Sequence, residues 1–579
     1  MQYPLTEKIG QPELLVGREK EFRQFQKWLD KIPDKLSKSR VILARRKSGK
    51  TVFVQRIFNQ LWNENGLTIP FFFDVADTKI WYPTAAIDYY CAFASQYISF
   101  LERDEKLVNK RLSLEDIRKY GKANAIGEFV DDVDFLLQNK EVGGCHDLMW
   151  KTACSAPHRF ADFYEKRFLV IIDEFQNLTR YVYPDPLYQT APIETLAGSF
   201  HSLSESKIAP MLVTGSYVGW LLLVIRQYLE AGRLKQIRFS PYLTQEEGLQ
   251  AVYKYAQFYN EPITNETAVQ INELCMSDPF FISCVIQNEL ENKDLTSSSG
   301  VIERVNYEIS DRRSEMSETW NEYLQLTLKR INDRHAKNML LHLSKHAYRY
   351  WTPRDLKAAL SLPLDINQIQ DKLLILSEAD MIEQGVADID FRGLQDGTLN
   401  LILRNRFEKE ITESKSGPNL KLEFEKKIET LTAKNQQLQG QLNHLSGKMA
   451  EHLLATAFRS RKRFALSDFF QEVIDTTRLN IIEVKEGVFI QRSDGKKMEI
   501  DVVAQSSCGR VVLIEVKKRQ AKTGQTIVED FQEKVEVYKK QFPEQKILPA
   551  FLSLGGFTED ARHVCQTHEI GWAETIRHY

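Results

Sequence analysis

Two stretches of this 579-residue chain set reactive side chains at spacings that chemistry uses. The first is Ala44-Arg45-Arg46-Lys47-Ser48-Gly49-Lys50-Thr51, which continues the apolar run 41–44 and leads into a helical pattern. A loop between a strand and a helix turns backbone N–H groups, those of Ser48 and Gly49 among them, toward a polyphosphate. Lys50 would reach the phosphate oxygens of ATP, and the Thr51 hydroxyl would ligate Mg²⁺. Further on, the apolar run 168–172 ends in Asp173-Glu174. Asp173 would hold the metal through water, and Glu174 would orient or polarise the attacking water. The second stretch runs from Met498 to Lys517. Residues i and i+2 share a face of a strand, so Glu515 and Lys517 point the same way. A hairpin turning at Ser507, Cys508 and Gly509 would bring Asp501 beside them. Two carboxylates and a lysine suit Mg²⁺-dependent phosphodiester hydrolysis. Asp501 and Glu515 would hold the metal, and Lys517 would position the nucleophile or offset phosphate charge.

Each stretch also has a plainer reading. Gly-Lys-Thr occurs by chance on surfaces, and it is the acidic strand downstream, a Walker B pattern, that gives it weight as a P-loop. The hairpin could be an ordinary amphipathic one with a surface Glu515–Lys517 pair.

The elements that must position these residues follow from periodicity. Apolar runs at 41–44, 69–75, 168–173 and 210–215 alternate with helical patterns, which predicts an α/β fold with a parallel sheet covered on both faces. A polar helical insertion fills about 100–166. We expect a P-loop core over 1–240, a helical lid over 241–330 and a winged-helix-like domain over 331–410. A linker and long helix follow over 411–448, then a separate α/β domain over 449–579. In the winged-helix part, Thr352 caps a helix with Pro353 at its first position, and a short β-like wing follows in the run 388–403. The expected recognition helix, about 366–379, exposes Asn367, Gln368, Gln370 and Asp371 with only Lys372 basic, which favours a structural or interaction role over DNA reading. SKSGP (414–418) reads as a linker.

Phe424, Ile428, Leu431, Asn435, Leu438, Leu442, Leu445 and Met449 alternate four and three residues apart. That is an a/d heptad seam with one Asn at an a position. It reads equally as a coiled coil between copies or as a helix packed on its own C-terminal domain, with Gly440 and Gly447 weakening it.

Over roughly residues 12–290 the chain resembles the archaeal-type branch of the AAA+ and STAND ATPases. The resemblance rests on Val16-Gly17-Arg18-Glu19, on Leu212-Val213-Thr214-Gly215-Ser216, on Asp173-Glu174-Phe175-Gln176, on Gly232-Arg233 and on Ser277-Asp278-Pro279-Phe280-Phe281. It implies adenine packing near Val16 and Pro279 and γ-phosphate sensing by Ser216 or Thr214. Arg226 and Arg233 are then candidates for an arginine finger. Two positions depart from the pattern: Ala44 replaces the first Gly of the loop, and Ser277 replaces a Gly in the lid. The C-terminal pattern Asp501-x(13)-Glu515-x-Lys517 resembles the PD-(D/E)XK nucleases, with Ile500 in place of the Pro. That resemblance implies a restriction-endonuclease-like domain and makes Glu451 a further metal ligand. Gln532 and Tyr538 are similar to a helical Gln/Tyr pair of one branch, at a different spacing.

The bulk properties bound these readings. The net charge of −2 means that any nucleic-acid surface is local. Candidate tracks are Arg459, Arg461, Lys462 and Arg463, then Lys517, Lys518, Arg519 and Lys522. The seven cysteines are scattered with no CxxC pair, and no leader or membrane-spanning run is apparent. We therefore expect a cytoplasmic protein that takes ATP and Mg²⁺, with DNA as partner and no membrane. Self-association through the ATPase part or residues 424–449 is a further expectation. The architecture implies a nucleotide-regulated DNA endonuclease serving defence against phage or mobile DNA. The alternatives are a STAND-like switch whose nuclease-like domain only binds DNA or a partner, and a transposition-type ATPase.

Overall fold

Apolar, β-branched and aromatic runs need a sheet that is covered on both sides. In the computed structural model, residues 1–140, 144–230, 232–328, 334–378, 381–385, 389–412, 420–519 and 521–576 are described. They divide into two units, Met1–Lys426 and Lys427–Tyr579.

In the first unit the strands are β1 (Arg40–Leu43), β2 (Thr68–Asp74), β3 (Ile80–Trp81), β4 (Arg167–Asp173), β5 (Val182–Tyr183), β6 (Met211–Gly215) and β7 (Lys235–Arg238). Five of them form a sheet in the order β2-β4-β6-β1-β7, and every pairing is parallel. The α/β fold with a parallel sheet is thus the one expected. Because β6 lies between β1 and β4, the loops leaving these three strands open side by side at one edge of the sheet, the place where such sheets take ligands. The polar edge strand β7 and the short β3–β5 ribbon carried no apolar signal and were not expected. The stretch expected as a polar insertion contains the helix His146–Phe163. That helix buries Met149, Trp150, Ala153 and Phe160 in the same core as β4, so it is part of the α/β layer.

Five helices follow β7 across Gln245–Leu328, in line with the expected helical segment. The next stretch places helices Arg334–Lys345, Pro353–Leu360 and Ile366–Glu378 before the antiparallel pair β8 (Ile382–Gln384) and β9 (Phe391–Gly393). Thr352 and Asp355 form a reciprocal cap, with Pro353 in the first turn. The expectation of a β-like wing over 388–403 needs correction. It holds only through Gly393, and the helix Gly397–Thr412 takes the rest. The reason is visible in the sequence: Leu399, Ile402, Leu403 and Phe407 share one face at helical spacing, and all four are buried. The linker at 414–418 and the end of the expected recognition helix at 379 lie outside the described residues.

The second unit begins within the helix Leu420–Arg461. Ala450, Leu454, Ala455 and Phe458 of that helix pack on one face of a six-stranded sheet. Its strands, in sheet order, are β10 (Arg463–Ala465), β11 (Arg478–Gln491), β12 (Lys497–Ser506), β13 (Arg510–Lys517), β14 (Lys546–Ser553) and β15 (Gly571–Ala573). The pairings are antiparallel up to β13 and parallel beyond it. Helices Gln525–Gln541 and Glu559–Thr567 cover the other face. No described helix is long and apolar enough to cross a membrane.

Candidate functional site

The loop after β1 turns at Gly49, whose φ of +81° suits glycine and whose missing Cβ leaves open space. The helix Lys50–Glu64 starts there with no side-chain cap on its free N–H groups. Ala44 is buried and keeps a negative φ, so the missing first glycine does not distort the loop. Lys50 is 5% exposed and donates to Glu174 Oε1 at 3.0 Å and to Ser216 Oγ at 2.8 Å. Thr51 Oγ1 donates to Asp173 Oδ2 at 2.7 Å, while Thr214 and the Glu174 N–H hold Asp173 Oδ1. Gln176 Nε2 and the Ser216 N–H bind Glu174 Oε2 at 2.7 and 3.0 Å. Burial alone would raise the Glu174 carboxyl. The Lys50 charge and the hydrogen bonds from Ser216 and Gln176 outweigh burial and hold it at about 2. Any Cβ on Gly215 would collide with the Gln176 amide, so glycine there is what admits this network.

Residues to which the sequence reading gave no role tie the loop to its surroundings. Arg45 meets Asp278 and Asp396 at 2.5 Å each, all three being nearly buried, and lies over the Trp320 ring at 5.1 Å. Burial would lower the Arg45 pKa, but the two carboxylates and Tyr242 keep it above the usual arginine range. Thr398 Oγ1 also donates to Asp278, at 3.0 Å, and Tyr242 donates to Asp396 at 2.6 Å. Arg18, in the left-handed region at φ +65°, donates to the Ser48 carbonyl at 3.2 Å and stacks on Phe239. An arginine directly after the apolar run 41–44 was the available signal for Arg45. Of its two carboxylates, 233 and 351 residues away in sequence, Asp278 was read only as part of the lid pattern and nothing marked Asp396.

Pro279 opens the helix Pro279–Gln287, whose cap Asp278 is the group that Arg45 grips. Ser277, standing where the lid pattern has glycine, sits at φ +56°. Val16 is half-buried beside Gly17. A cleft of about 410 Å³ lined by Leu15, Gly17, Phe22, Arg56 and Gln60 borders the same segment. Of the arginine-finger candidates, Arg233 pairs with Glu205 at 2.6 Å, and Arg226 is exposed.

In the second unit the hairpin of β12 and β13 runs in the register Val502↔Ile514. One residue beyond, the Asp501 side chain takes the Val516 N–H at 2.7 Å, and this sets Asp501 beside Glu515. Lys517 Nζ lies 2.6 Å from Glu515 and 3.8 Å from Asp501. Lys534, on the helix Gln525–Gln541, meets both oxygens of Glu515 at 2.8 and 2.7 Å. Sequence reading singled out Gln532 and Tyr538 on that helix. Instead, Tyr538 is buried in the core, Gln532 donates to Glu536, and Lys534 is the residue at the site. Burial, then the Glu515 charge, push the Asp501 carboxyl up to about 7 against the pull of Lys517. Glu451 is close enough to act on Asp501 electrostatically, and its own carboxyl is raised by burial and by Glu499. No group of three His, Cys, Asp or Glu side chains among the described residues is closed up tightly enough to hold a metal. Glu515 faces two ammonium groups in this arrangement.

Of the basic tracks, the first is largely committed within the chain. Arg459 pairs with Glu486 at 2.7 Å and Arg461 with Asp468 at 3.1 Å. Lys518, Arg519 and Lys522 are exposed beside Lys517. On the helix Ile366–Glu378, Asn367, Gln368 and Asp371 are exposed and Gln370 and Lys372 are half-buried.

No family model matches the chain, and no curated protein matches it. Among solved structures, a Walker-type ATPase of Pyrococcus abyssi is 16% identical, over 69% of this chain and 98% of that one, with a TM-score of 0.43. The ADP form of the ORC2 protein of Aeropyrum pernix is 13% identical over 69% of this chain and 96% of that one, at 0.40. The ORC1 protein of Aeropyrum pernix in complex with DNA is 10% identical over 69% and 95%, at 0.32. With scores this low the likenesses lend no weight to a function, and the side-chain geometry of the chain itself carries it.

Proposed function

We propose that the chain binds and hydrolyses ATP with Mg²⁺ in its first unit, and cleaves DNA with Mg²⁺ in its second. The observation that carries the first part is the convergence of Lys50, Thr51, Asp173, Glu174 and Ser216 at the edge where β1, β4 and β6 end. Thr51 and Asp173 would hold the metal and Lys50 the phosphates, with the uncapped helix start and open Gly49 as the cradle. When bound, the metal supplies positive charge against the phosphate oxygens. The residues of the chain do the rest. Lys50 cannot hold Glu174 and a phosphate with the same donors. Its departure to phosphate would release Glu174, leaving that carboxylate free to accept a proton from water while Gln176 and Ser216 keep it aimed.

Asp501, Glu515 and Lys517 on one hairpin support the second part. Asp501 and Glu515, with Glu451 nearby, would hold a divalent cation after drawing closer together than they stand here. Glu515 would exchange its lysine contacts for the metal, and Lys517, so released, would meet a phosphate oxygen. Exposed Lys518, Arg519 and Lys522 would line the approach of the DNA backbone.

The test uses the purified full chain. Lys50→Ala should weaken ATP binding at least tenfold in calorimetry. Glu174→Gln should keep binding and lose hydrolysis. Asp501→Ala should abolish Mg²⁺-dependent DNA cleavage and leave ATP hydrolysis intact. Cleavage that survives both Asp501→Ala and Lys517→Ala would refute the second site. Wild-type protein that binds no ATP at millimolar nucleotide would refute the first.

A further inference from the structure

Among the described residues, the helix Leu420–Arg461 buries apolar side chains near its two ends. Phe424 and Ile428 are buried near the start, and Ala450, Leu454 and Phe458 are buried beneath the sheet. Between them the seam faces solvent: Leu438, Leu442, Leu445 and Met449 are 52%, 57%, 64% and 60% exposed. The sequence left two readings open, a coiled coil between copies or packing on its own domain. The second holds for Ala450 to Phe458, and the four exposed positions before them are left to the first.

We propose that residues 431–449 are the docking surface for a second copy of this chain, joined as a parallel, in-register pair of helices. With Leu442 at position a, the residues Ile428, Asn435 and Met449 also fall at a, and Leu431, Leu438 and Leu445 fall at d. In a parallel pair Asn435 meets the same residue of the other copy, where amide can bond amide. Any slip or reversal sets it against leucine or methionine. Charge points the same way. Lys434 and Lys448 both occupy g. Reversed helices centred on this seam bring g against g, opposing lysine to lysine. Parallel helices bring g against e of the next heptad, setting Lys434 by Gln439 and Lys448 by Leu453, with no like charges opposed. Gly440 and Gly447 both fall at f, the outward position, so they lower helix propensity without opening the seam.

The seam is short, under three heptads, so the pair is weak alone and forms where two chains are already held close. The consequence rests on the nuclease reading. Met449 stands two residues before Glu451, on one unbroken helix that is anchored in the sheet of Asp501 and Glu515. Pairing therefore holds two such sites next to each other, the arrangement that a substrate of two strands requires.

The experiment is disulfide trapping of the full chain in a Cys508→Ser background, because Cys508 is exposed and would cross-react. Leu438→Cys and Met449→Cys should each give a covalent dimer on mild oxidation with linear duplex DNA present. Adding Leu442→Glu should cut the yield at least tenfold. Failure of both cysteines to cross-link, or a yield insensitive to Leu442→Glu, overturns the pairing. A plasmid assay reads the consequence separately. Leu442→Glu should shift the product of Mg²⁺-dependent cleavage from linear to singly nicked circles. Cross-links without any cleavage would leave the pairing standing and the nuclease reading refuted. Cleavage without cross-links would do the reverse.

Discussion

Glu174, just after β4, and Asp501, in the middle of β12, are both largely buried carboxylates within reach of a lysine, and their environments drive them in opposite directions. Around Glu174 the chain supplies Lys50, two groups of Ser216 and the Gln176 amide, and the carboxyl is held at about 2. Around Asp501 it supplies one backbone N–H and a lysine at 3.8 Å that is nearer to Glu515, and the carboxyl rises to about 7. The counts explain the difference. At the first site Glu174 has one ammonium at 3.0 Å plus three neutral donors, and Asp173 beside it is held by two hydroxyls and a backbone N–H. At the second, three carboxylates (Asp501, Glu515 and Glu451) have two ammonium groups, Lys517 and Lys534. Burial penalises both sites alike, so compensation decides. The first site is balanced from within, and a ligand must compete with its internal contacts. The second lacks positive charge, and a cation would relieve it.

Breaking the balance of the first unit should cost most at Arg45. Arg45→Ala leaves Asp278 and Asp396 buried without their cation, and should destabilise the chain by about 4 kcal/mol in denaturant unfolding. A loss below about 1 kcal/mol would mean that Tyr242 and Thr398 suffice. Next comes Lys50→Ala, expected to cost about 3 kcal/mol without nucleotide because it strands Glu174. Adding Glu174→Gln should restore most of that loss, and failure of this rescue would break the claim of an internally balanced site. The second site should answer differently. Asp501→Asn removes a charge from a surplus, so stability should change by no more than about 1 kcal/mol, or rise. A loss as large as that of Lys50→Ala would abolish the contrast. The smallest effect is expected at Ser277. Its left-handed backbone suits glycine, so Ser277→Gly should be neutral or stabilising by up to about 1 kcal/mol in thermal unfolding.

Much of this was written locally. The strands at 41–44 and 168–173 were legible because continuous apolar runs ending in a Gly-Lys-Thr loop or a pair of acids leave few other folds. The cap at Thr352 and the hairpin turn at Gly509 were legible because capping and turn chemistry act within three residues. The failure at 388–403 has a matching cause: a short strand running into a helix shares its apolar residues with either period.

The sequence by itself therefore determined which side chains could do chemistry and which strands carry them: Lys50 and Thr51 after β1, Asp173 and Glu174 after β4, and Asp501, Glu515 and Lys517 on one hairpin. Tertiary structure alone decided their partners. It brought Asp278 and Asp396 to Arg45, Ser216 to Lys50, Lys534 to Glu515, and it left the seam from Leu438 to Met449 in solvent. The physical reason is range. Periodicity, capping and turns are set by neighbours along the chain, whereas the protonation and pairing of a buried charge depend on groups that only folding brings within a few ångströms.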